Sequence, residues 1–164
     1  MGIEFQNSGI FECAAKNIIS TAQMAVGATL NIINKNKIDS WPVHKKLFDS
    51  LVKSVLLYTA PVWSLRYLND LEKVQMAFIK RSLNLPKYIP NHFVRLETGR
   101  TPLATNIFKA CINWLEKLQK MGNNRYPKIC YNKIRDIALK SSECKIVKYN
   151  WVKQVQKAFY TDEY

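Results

Sequence analysis

Apolar residues recur at three- and four-residue spacing along nearly the whole chain, which is the spacing that places side chains on one face of an α-helix. The first stripe of this kind predicts a helix over residues 10–34. Further stripes predict helices near residues 41–62, 70–85, 92–97, 102–121, 127–140 and 145–159. Only Ile3-Glu4-Phe5 alternates in the manner of a β-strand. The sequence therefore predicts an all-α fold, a single bundle of about five to seven helices with at most one residual N-terminal strand.

The stripes also predict which side chains are buried. The first stripe, which follows an N-cap at Ser8, contains Phe11, Ala15, Ile18, Ala22, Ala25 or Val26, Thr29 and Ile33. The second, which follows an N-cap at Ser40 and is ended or kinked by Pro61, contains Val43, Leu47, Leu51, Val55, Tyr58 and Val62. In the third, Asn69 and Glu72 fit a capping box ahead of Leu71, Val74, Phe78, Ser82 and Leu85.

The charge of the chain favours a polyanionic partner. At 164 residues and 48% apolar composition, the chain is long enough for one domain, residues 1–164, with an ordinary core. Its formal net charge is +13, and this charge is uneven: residues 1–40 are neutral, whereas residues 41–100 carry +6 and residues 101–164 carry +7. Nucleic acid or an acidic membrane surface would be attracted to the second and third portions. Basic residues that only keep a small domain in solution are the alternative.

Several classes of protein are disfavoured by what the sequence lacks. Reduced thiols in an intracellular compartment are expected, because no Cys-x-x-Cys pair or dense disulfide framework links Cys13, Cys111, Cys130 and Cys144. No apolar run is long enough to cross a membrane, so no membrane partner is predicted. His44 and His92 are too few for a catalytic triad or a histidine metal site. The sequence therefore predicts no metal, no cofactor and no catalytic residue.

A dense series of landmarks occupies residues 57–118. In order they are Tyr58-Thr59-Ala60-Pro61-Val62-Trp63, Leu71-Glu72-Lys73-Val74-Gln75, Phe78-Ile79-Lys80-Arg81, Leu83-Asn84-Leu85-Pro86, Pro90, Leu96-Glu97-Thr98-Gly99 and Pro102-Leu103. This order resembles the segment that follows the polymerase core in reverse transcriptases of non-LTR (LINE-type) retrotransposons, particularly those of insects. The resemblance extends over about residues 1–121 and leaves residues 122–164 as a basic helical extension. It departs from the family at Thr59, where the family has Gly, and at Pro61, where it has an acidic or polar residue.

The resemblance implies a part of an enzyme without its catalytic site. In this family the catalytic Asp-Asp turn precedes the region that these residues resemble, which is the thumb and the connecting region behind it. The chain is thus expected to be a non-catalytic fragment that binds RNA or an RNA–DNA template–primer through phosphate contacts, beside a polymerase core domain. Tyr160-Thr161-Asp162-Glu163 only echoes the catalytic turn, since no strands surround it. The alternatives are a structural or protein-interaction module and an inactive transposon remnant.

Six cations are the candidate phosphate contacts: Lys73, Lys80, Arg81, Lys87, Arg95 and Arg100. The first three are predicted to share the face of the third helix opposite its apolar stripe. The other three lie in or beside the segment broken by Pro86 and Pro90, where a mobile backbone would let them reach phosphates. Tyr88 and His92 in the same segment could stack on bases. A solvated surface of no particular function is the alternative for both groups.

The remaining landmark residues are predicted to be structural. Trp63 and Trp114 have apolar neighbours at helical spacing, which favours core packing. Glu72 and Gln75 are expected to cap or to form hydrogen bonds between helices, and Glu97-x-Gly99 to end a helix. Thr101 and Pro102 suit the N-cap and first turn of the next helix. Lys145, Lys148, Lys153 and Lys157 would form a further basic surface on the last helix, beyond the resemblance.

Overall fold

Helices make up most of the backbone in the computed structural model, which describes residues 2, 11–140 and 150–160. Within these residues there are eight helices and no strand: α1 Glu12–Lys35, α2 residues 41–56, α3 residues 60–66, α4 Leu68–Ser82, α5 Asn91–Thr98, α6 Leu103–Lys120, α7 Tyr126–Lys140 and α8 Trp151–Tyr160. The predicted all-α class is confirmed. The number of helices exceeds the predicted five to seven because the predicted second helix is divided. The predicted strand at Ile3-Glu4-Phe5 and the N-cap at Ser8 lie outside the described residues.

The first helix and the fourth run side by side in the same direction. Near its start, α1 shares a surface pocket with Tyr67 and Asp70, which begin α4. Near its end, it shares another with Ser82 and Asn84, at the end of α4. The predicted stripe of α1 is confirmed from Ala15 onward, since its members are buried, and Phe11 is partly buried beside them. The main core therefore forms where α1, α2 and α4 meet.

The buried face of α2 differs from the predicted one by a single residue. The buried column consists of His44, Phe48, Val52 and Leu56. The predicted stripe lies next to it: Val43, Leu51, Tyr58 and Val62 are exposed, and Leu47 and Val55 are only partly buried. The prediction for this helix was therefore wrong. Ser40 does occupy the N-cap position, although its side chain makes no capping hydrogen bond.

A π-helical turn lies in the middle of α2, where the two columns run side by side. Apolar residues occur here as adjacent pairs, Leu47-Phe48, Leu51-Val52 and Val55-Leu56, so four-residue spacing fits either column. Between the α-helical parts Trp41–Leu47 and Lys53–Leu56, the segment Phe48–Val52 is π-helical and holds more residues per turn. The wider turn keeps residues four apart on one face, whereas in a regular α-helix they drift around the axis. Phe48 then packs on Phe78, with ring centroids 4.9 Å apart.

The break between α2 and α3 falls at Thr59, not at Pro61 as predicted. Thr59 has φ 49° and ψ 23°, in the left-handed region. Pro61 instead lies in the first turn of α3, formed by Ala60–Trp63 and Ser64–Arg66, where a missing N–H group leaves no hydrogen bond unmade. Across the break, Trp63 Nε1 donates to the Tyr58 carbonyl at 3.0 Å. Trp63 is buried, which confirms its predicted place in the core.

The last two helices attach through polar contacts. The carbonyl of Pro61 accepts a hydrogen bond from Trp151 Nε1 at 2.6 Å, which ties α8 to α3. Asn150 caps α8, since its Oδ1 accepts from the Lys153 N–H at 3.2 Å, and its Nδ2 donates to the Ile134 carbonyl at 2.9 Å. Helix α8 therefore begins at Trp151, later than predicted, and residues 141–149 lie outside the described part. The main core cluster ends at Cys111, so the buried residues beyond it form a smaller group.

The identity of the buried column can be tested with two leucines of α2. Leu56 is 0% exposed and Leu51 is 41% exposed. Leu56→Ala should lower the free energy of unfolding by about 2–5 kcal/mol, because it removes a buried side chain and leaves a cavity. Leu51→Ala should cost less than about 1 kcal/mol. Urea denaturation followed by circular dichroism measures both, and equal losses would contradict this assignment.

The backbone of Thr59 predicts a stabilising substitution. A left-handed conformation costs an L residue roughly 1–2 kcal/mol, and a β-branched side chain suits it least. Thr59→Gly should therefore raise the free energy of unfolding by about 0.5–1 kcal/mol after the entropy cost of glycine. Asn84 has a similar φ of 52° and is the matched control. Asn84→Gly should gain less, because Asn tolerates this region better; a loss of stability in Thr59→Gly would refute the argument.

Candidate nucleic-acid interface

The Leu-Glu-x-x-Gln landmark on α4 holds the start of α6. Glu72 Oε2 accepts a hydrogen bond from the Leu103 N–H at 2.9 Å. Gln75, which is buried, donates from Nε2 to the Thr101 carbonyl at 3.0 Å. The predicted capping box with Asn69 is wrong, because α4 starts after Tyr67 with no side-chain cap. Thr101 likewise does not cap α6; the carboxylate of Glu72 does so from another helix.

Glu72 also pairs with Arg95. The Arg95 Nη2 and Glu72 Oε1 atoms are 2.5 Å apart, and both side chains are largely shielded from solvent. The Nε atom of Arg95 is buried and has no hydrogen-bond partner. A carboxylate that caps one helix and neutralises a cation on another stabilises the contact between helices more than an exposed ion pair would. Arg95 is therefore a structural residue on α5, not a mobile phosphate contact.

The connection between α5 and α6, residues 98–103, is held from a second side by α2. Arg100 donates two hydrogen bonds to Asp49, from Nη1 at 3.0 Å and from Nη2 at 2.5 Å. Its guanidinium lies 5.0 Å from the centre of the Phe48 ring. Trp41 Nε1 donates to the Thr98 carbonyl at 3.1 Å. We call residues 98–103 the junction, because α2 and α4 both bind it.

Arg100 is thereby removed from the candidate phosphate contacts. Only 8% of its side chain is exposed. Hydrogen bonds from Arg100 lower the pKa of Asp49 below its ordinary value, against the opposing effect of burial, so the carboxylate is charged at neutral pH. Arg95 and Arg100 are both paired with carboxylates within the fold, which differs from the prediction that they reach phosphates from a mobile segment. Nothing in the local sequence indicated their partners, which lie 23 and 51 residues away.

The other landmarks converge on the same junction. Gly99 ends α5 with φ 62°, a conformation that glycine adopts without strain, and the helix end predicted for Glu97-x-Gly99 is confirmed. The Arg100 N–H donates back to the Arg95 carbonyl at 3.2 Å and closes that end. Pro102 directly precedes α6. Leu-Glu-x-x-Gln is thus far from Glu-x-Gly and Pro-Leu in the sequence but adjacent to them in space, although Glu97 itself is exposed.

Lys80 is also occupied by an internal contact. Its Nζ donates to the carbonyl oxygens of Lys87 at 3.0 Å and Ile89 at 2.6 Å. A lysine on α4 therefore fixes the path of the following segment, in which the Ile89 N–H also donates to the Pro86 carbonyl at 3.3 Å. These contacts tie the backbone of the segment to α4, which its two prolines gave no reason to expect.

The remaining candidates are exposed. Lys73 projects into solvent and pairs with Asp70 at 2.7 Å, a contact that contributes little in water. Arg81 and Lys87 are exposed, and within the described residues neither side chain has an ion-pair partner. No acidic residue occurs between Glu72 and Glu97, so this stretch of the sequence is purely cationic. Three of the six predicted contacts therefore remain available to meet a polyanion.

Aromatic rings accompany these cations. Tyr88 is exposed, as are His92 and Phe93, whose ring centroids lie 4.3 Å apart. Phe93 was missed as a candidate. The signal was present, because α5 turns Val94 and Thr98 inward at four-residue spacing and so leaves Phe93 outside.

Other kinds of site receive no support from the described residues. Among residues 2, 11–140 and 150–160 there is no group of three or more potential metal-ligating side chains. Burial raises the pKa of the Cys111 thiol to about 11, so this thiol is protonated at neutral pH. No helix in the same part of the chain has the length and hydropathy needed to cross a membrane.

Comparison with protein-family models, with curated proteins and with solved structures finds no match to this chain. The resemblance to non-LTR reverse transcriptases therefore depends on the order and spacing of the landmarks in its own sequence.

The dual contact of Glu72 predicts a large effect of its removal. Glu72→Ala should lower the free energy of unfolding by about 2–3 kcal/mol, because it uncaps α6 and leaves Arg95 without its partner. Glu97→Ala, in an exposed glutamate of the same landmark series, should change stability by no more than about 0.5 kcal/mol. Chemical denaturation of both variants tests this, and similar effects would show that the junction does not depend on Glu72.

Proposed function

We propose that this chain is a non-catalytic nucleic-acid-binding domain, equivalent to the thumb and connecting region of a non-LTR retrotransposon reverse transcriptase. It binds an RNA duplex or RNA–DNA hybrid through phosphate contacts and without reading base sequence. The observation that carries the proposal is the exposed cationic surface at the end of α4 and after it, which comes from a stretch of the sequence without acidic residues and where Arg81 and Lys87 lack ion-pair partners in the described residues. A surface of this kind attracts phosphates by releasing their condensed counterions.

Two structural details support the resemblance on which the family assignment rests. Three of the landmarks, Leu-Glu-x-x-Gln, Glu-x-Gly and Pro-Leu, meet at the junction, so the joint occurrence of these three has a physical reason in this fold. In addition, Thr59 stands where the family has Gly, and its backbone is left-handed, which is the conformation that favours glycine. The departure at this position therefore changes the residue without changing the turn.

The proposed contact set is narrower than the one predicted from the sequence. Lys80, Arg95 and Arg100 act within the fold, which leaves Lys73, Arg81 and Lys87 to face phosphates. Exposed Lys133 and Lys140 on α7 add positive charge in the basic extension. Non-specific binding of this kind needs few fixed contacts, because its strength comes mainly from electrostatics.

The second candidate function is a structural or protein-interaction module. An apolar groove of about 350 Å³ supports it, with Val62, Trp114 and Tyr131 among the residues that line it. Trp114, predicted to be a core residue, is only partly buried there. Such a surface suits contact with another protein, including a neighbouring polymerase core. The charged surface, however, lies at the end of α4 and not in this groove, so the two functions would use different surfaces of the domain.

The proposal predicts salt-dependent binding that weakens when one cation is reversed. The full chain should bind a labelled RNA duplex or hybrid, with an affinity that falls steeply as salt rises. Arg81→Glu should weaken binding to all sequences alike and reduce the slope of log affinity against log salt by about one. Fluorescence anisotropy across a salt series measures both quantities.

Lys120→Glu is the matched control, because Lys120 is also an exposed cation in the last turn of a helix. It should leave the salt slope nearly unchanged. If the two variants lose affinity equally, binding responds only to net charge. If the unmodified chain fails to bind at low salt, the phosphate-binding proposal is wrong and the protein-interaction function is favoured.

A further inference from the structure

We infer that residues 87–93 form a stacking platform for unpaired nucleotides, next to the surface proposed to bind duplex phosphates. This inference rests on the proposed function and deepens it, because it names a single-stranded segment as a second ligand. The platform consists of the rings of Tyr88, His92 and Phe93. Lys87 precedes Tyr88 in the sequence, and Arg81 lies in the last turn of α4, next to the Lys80 that binds this segment.

The rings of the platform are open to solvent. Tyr88 is 85% exposed and Phe93 is 56% exposed. The side chain of His92 contacts the Phe93 ring at a centroid distance of 4.3 Å, so these two rings already form a pair. An aromatic face left in water is available to a base, since every base has a flat π surface that can stack on it.

The backbone beneath these rings is fixed. Lys80 binds the carbonyl oxygens of Lys87 and Ile89, on either side of Tyr88. Ile89 is partly buried against the main core, and Val94 is fully buried one residue after Phe93. Pro90 restricts the chain between them. A platform that is already ordered loses little conformational entropy when a ligand binds.

Charge and chemistry together select the ligand. The stretch between Glu72 and Glu97 contains cations and no acidic residue, so it attracts phosphates. Rings interleaved with cations are the combination that binds single strands, whose bases are free to stack. A duplex keeps its base faces inside the helix and can use only the cations. Since five residues span at most about 18 Å, the rings from Tyr88 to Phe93 can serve only a few nucleotides.

The test compares two exposed tyrosines. Tyr126, on α7, is 84% exposed and so matches Tyr88. The full chain is titrated against a labelled oligouridine, an abasic backbone of the same length and a blunt RNA duplex. Tyr88→Ala should weaken oligouridine binding about five- to tenfold, which corresponds to the loss of one stacked base. It should leave the abasic strand, the duplex and the salt slope unchanged. Tyr88→Phe should bind normally, because stacking needs the ring and not the hydroxyl, and Tyr126→Ala should have no effect.

The outcomes separate this inference from the function beneath it. If the unmodified chain binds duplex in a salt-dependent manner but Tyr88→Ala binds oligouridine normally, the platform is refuted and the proposed function stands. The same conclusion follows if Tyr88→Ala weakens binding of the abasic strand as much as binding of oligouridine. It also follows if the substitution changes only self-association, measured by light scattering, because the rings would then contact protein. If the unmodified chain binds no oligonucleotide, both are refuted. Circular dichroism confirms that each variant is folded.

Discussion

The fold depends on the way two carboxylates hold the junction between α5 and α6. Glu72 binds the junction from α4, and Asp49 binds it from α2, so three separate parts of the sequence meet at residues 98–103. Each carboxylate also neutralises an arginine that is largely shielded from water. Removal of one partner from such a pair is costly, because a charge would remain where solvent cannot stabilise it. The junction thus specifies how the helices are arranged as well as how firmly they pack.

This use of acidic residues shapes the surface of the molecule. Residues 41–100 contain only four of them, and Asp49 and Glu72 are paired with arginines that are largely shielded from solvent. Structural pairing therefore uses half of the negative charge in this portion and leaves its surplus cations on the surface. A positive surface results from the scarcity of carboxylates, without any special clustering of lysines. Two of the predicted phosphate contacts, Arg95 and Arg100, are the partners of these two carboxylates and are therefore internal.

A feature could be predicted from the sequence where the local pattern of residues was compatible with only one structure. The stripe of α1 and the helix end at Gly99 are each determined by neighbouring residues, and both were predicted correctly. Helix α2 contains two apolar columns side by side, and nothing in the spacing distinguishes them. The pairs of Arg95 and Arg100 span long separations in the chain, so a single sequence gives no sign of them. Arg81, Lys87 and Tyr88 were named as candidates from the sequence alone; the structure shows that they are exposed, and their contact with nucleic acid stays a prediction.

Because α2 contains a π-helical turn, the number of residues in this helix decides which side chain faces Arg100. The turn contains Asp49, whose direction toward Arg100 depends on the residue that the wider turn accommodates. Deletion of one residue here would restore a regular α-helix and rotate the N-terminal half of α2 by about 100° relative to its C-terminal half. Leu47 would then replace Phe48 above Val52, and an apolar core would survive. The guanidinium of Arg100 would nevertheless lose its partner Asp49, so the ion pair as well as the buried column sets the register of this helix.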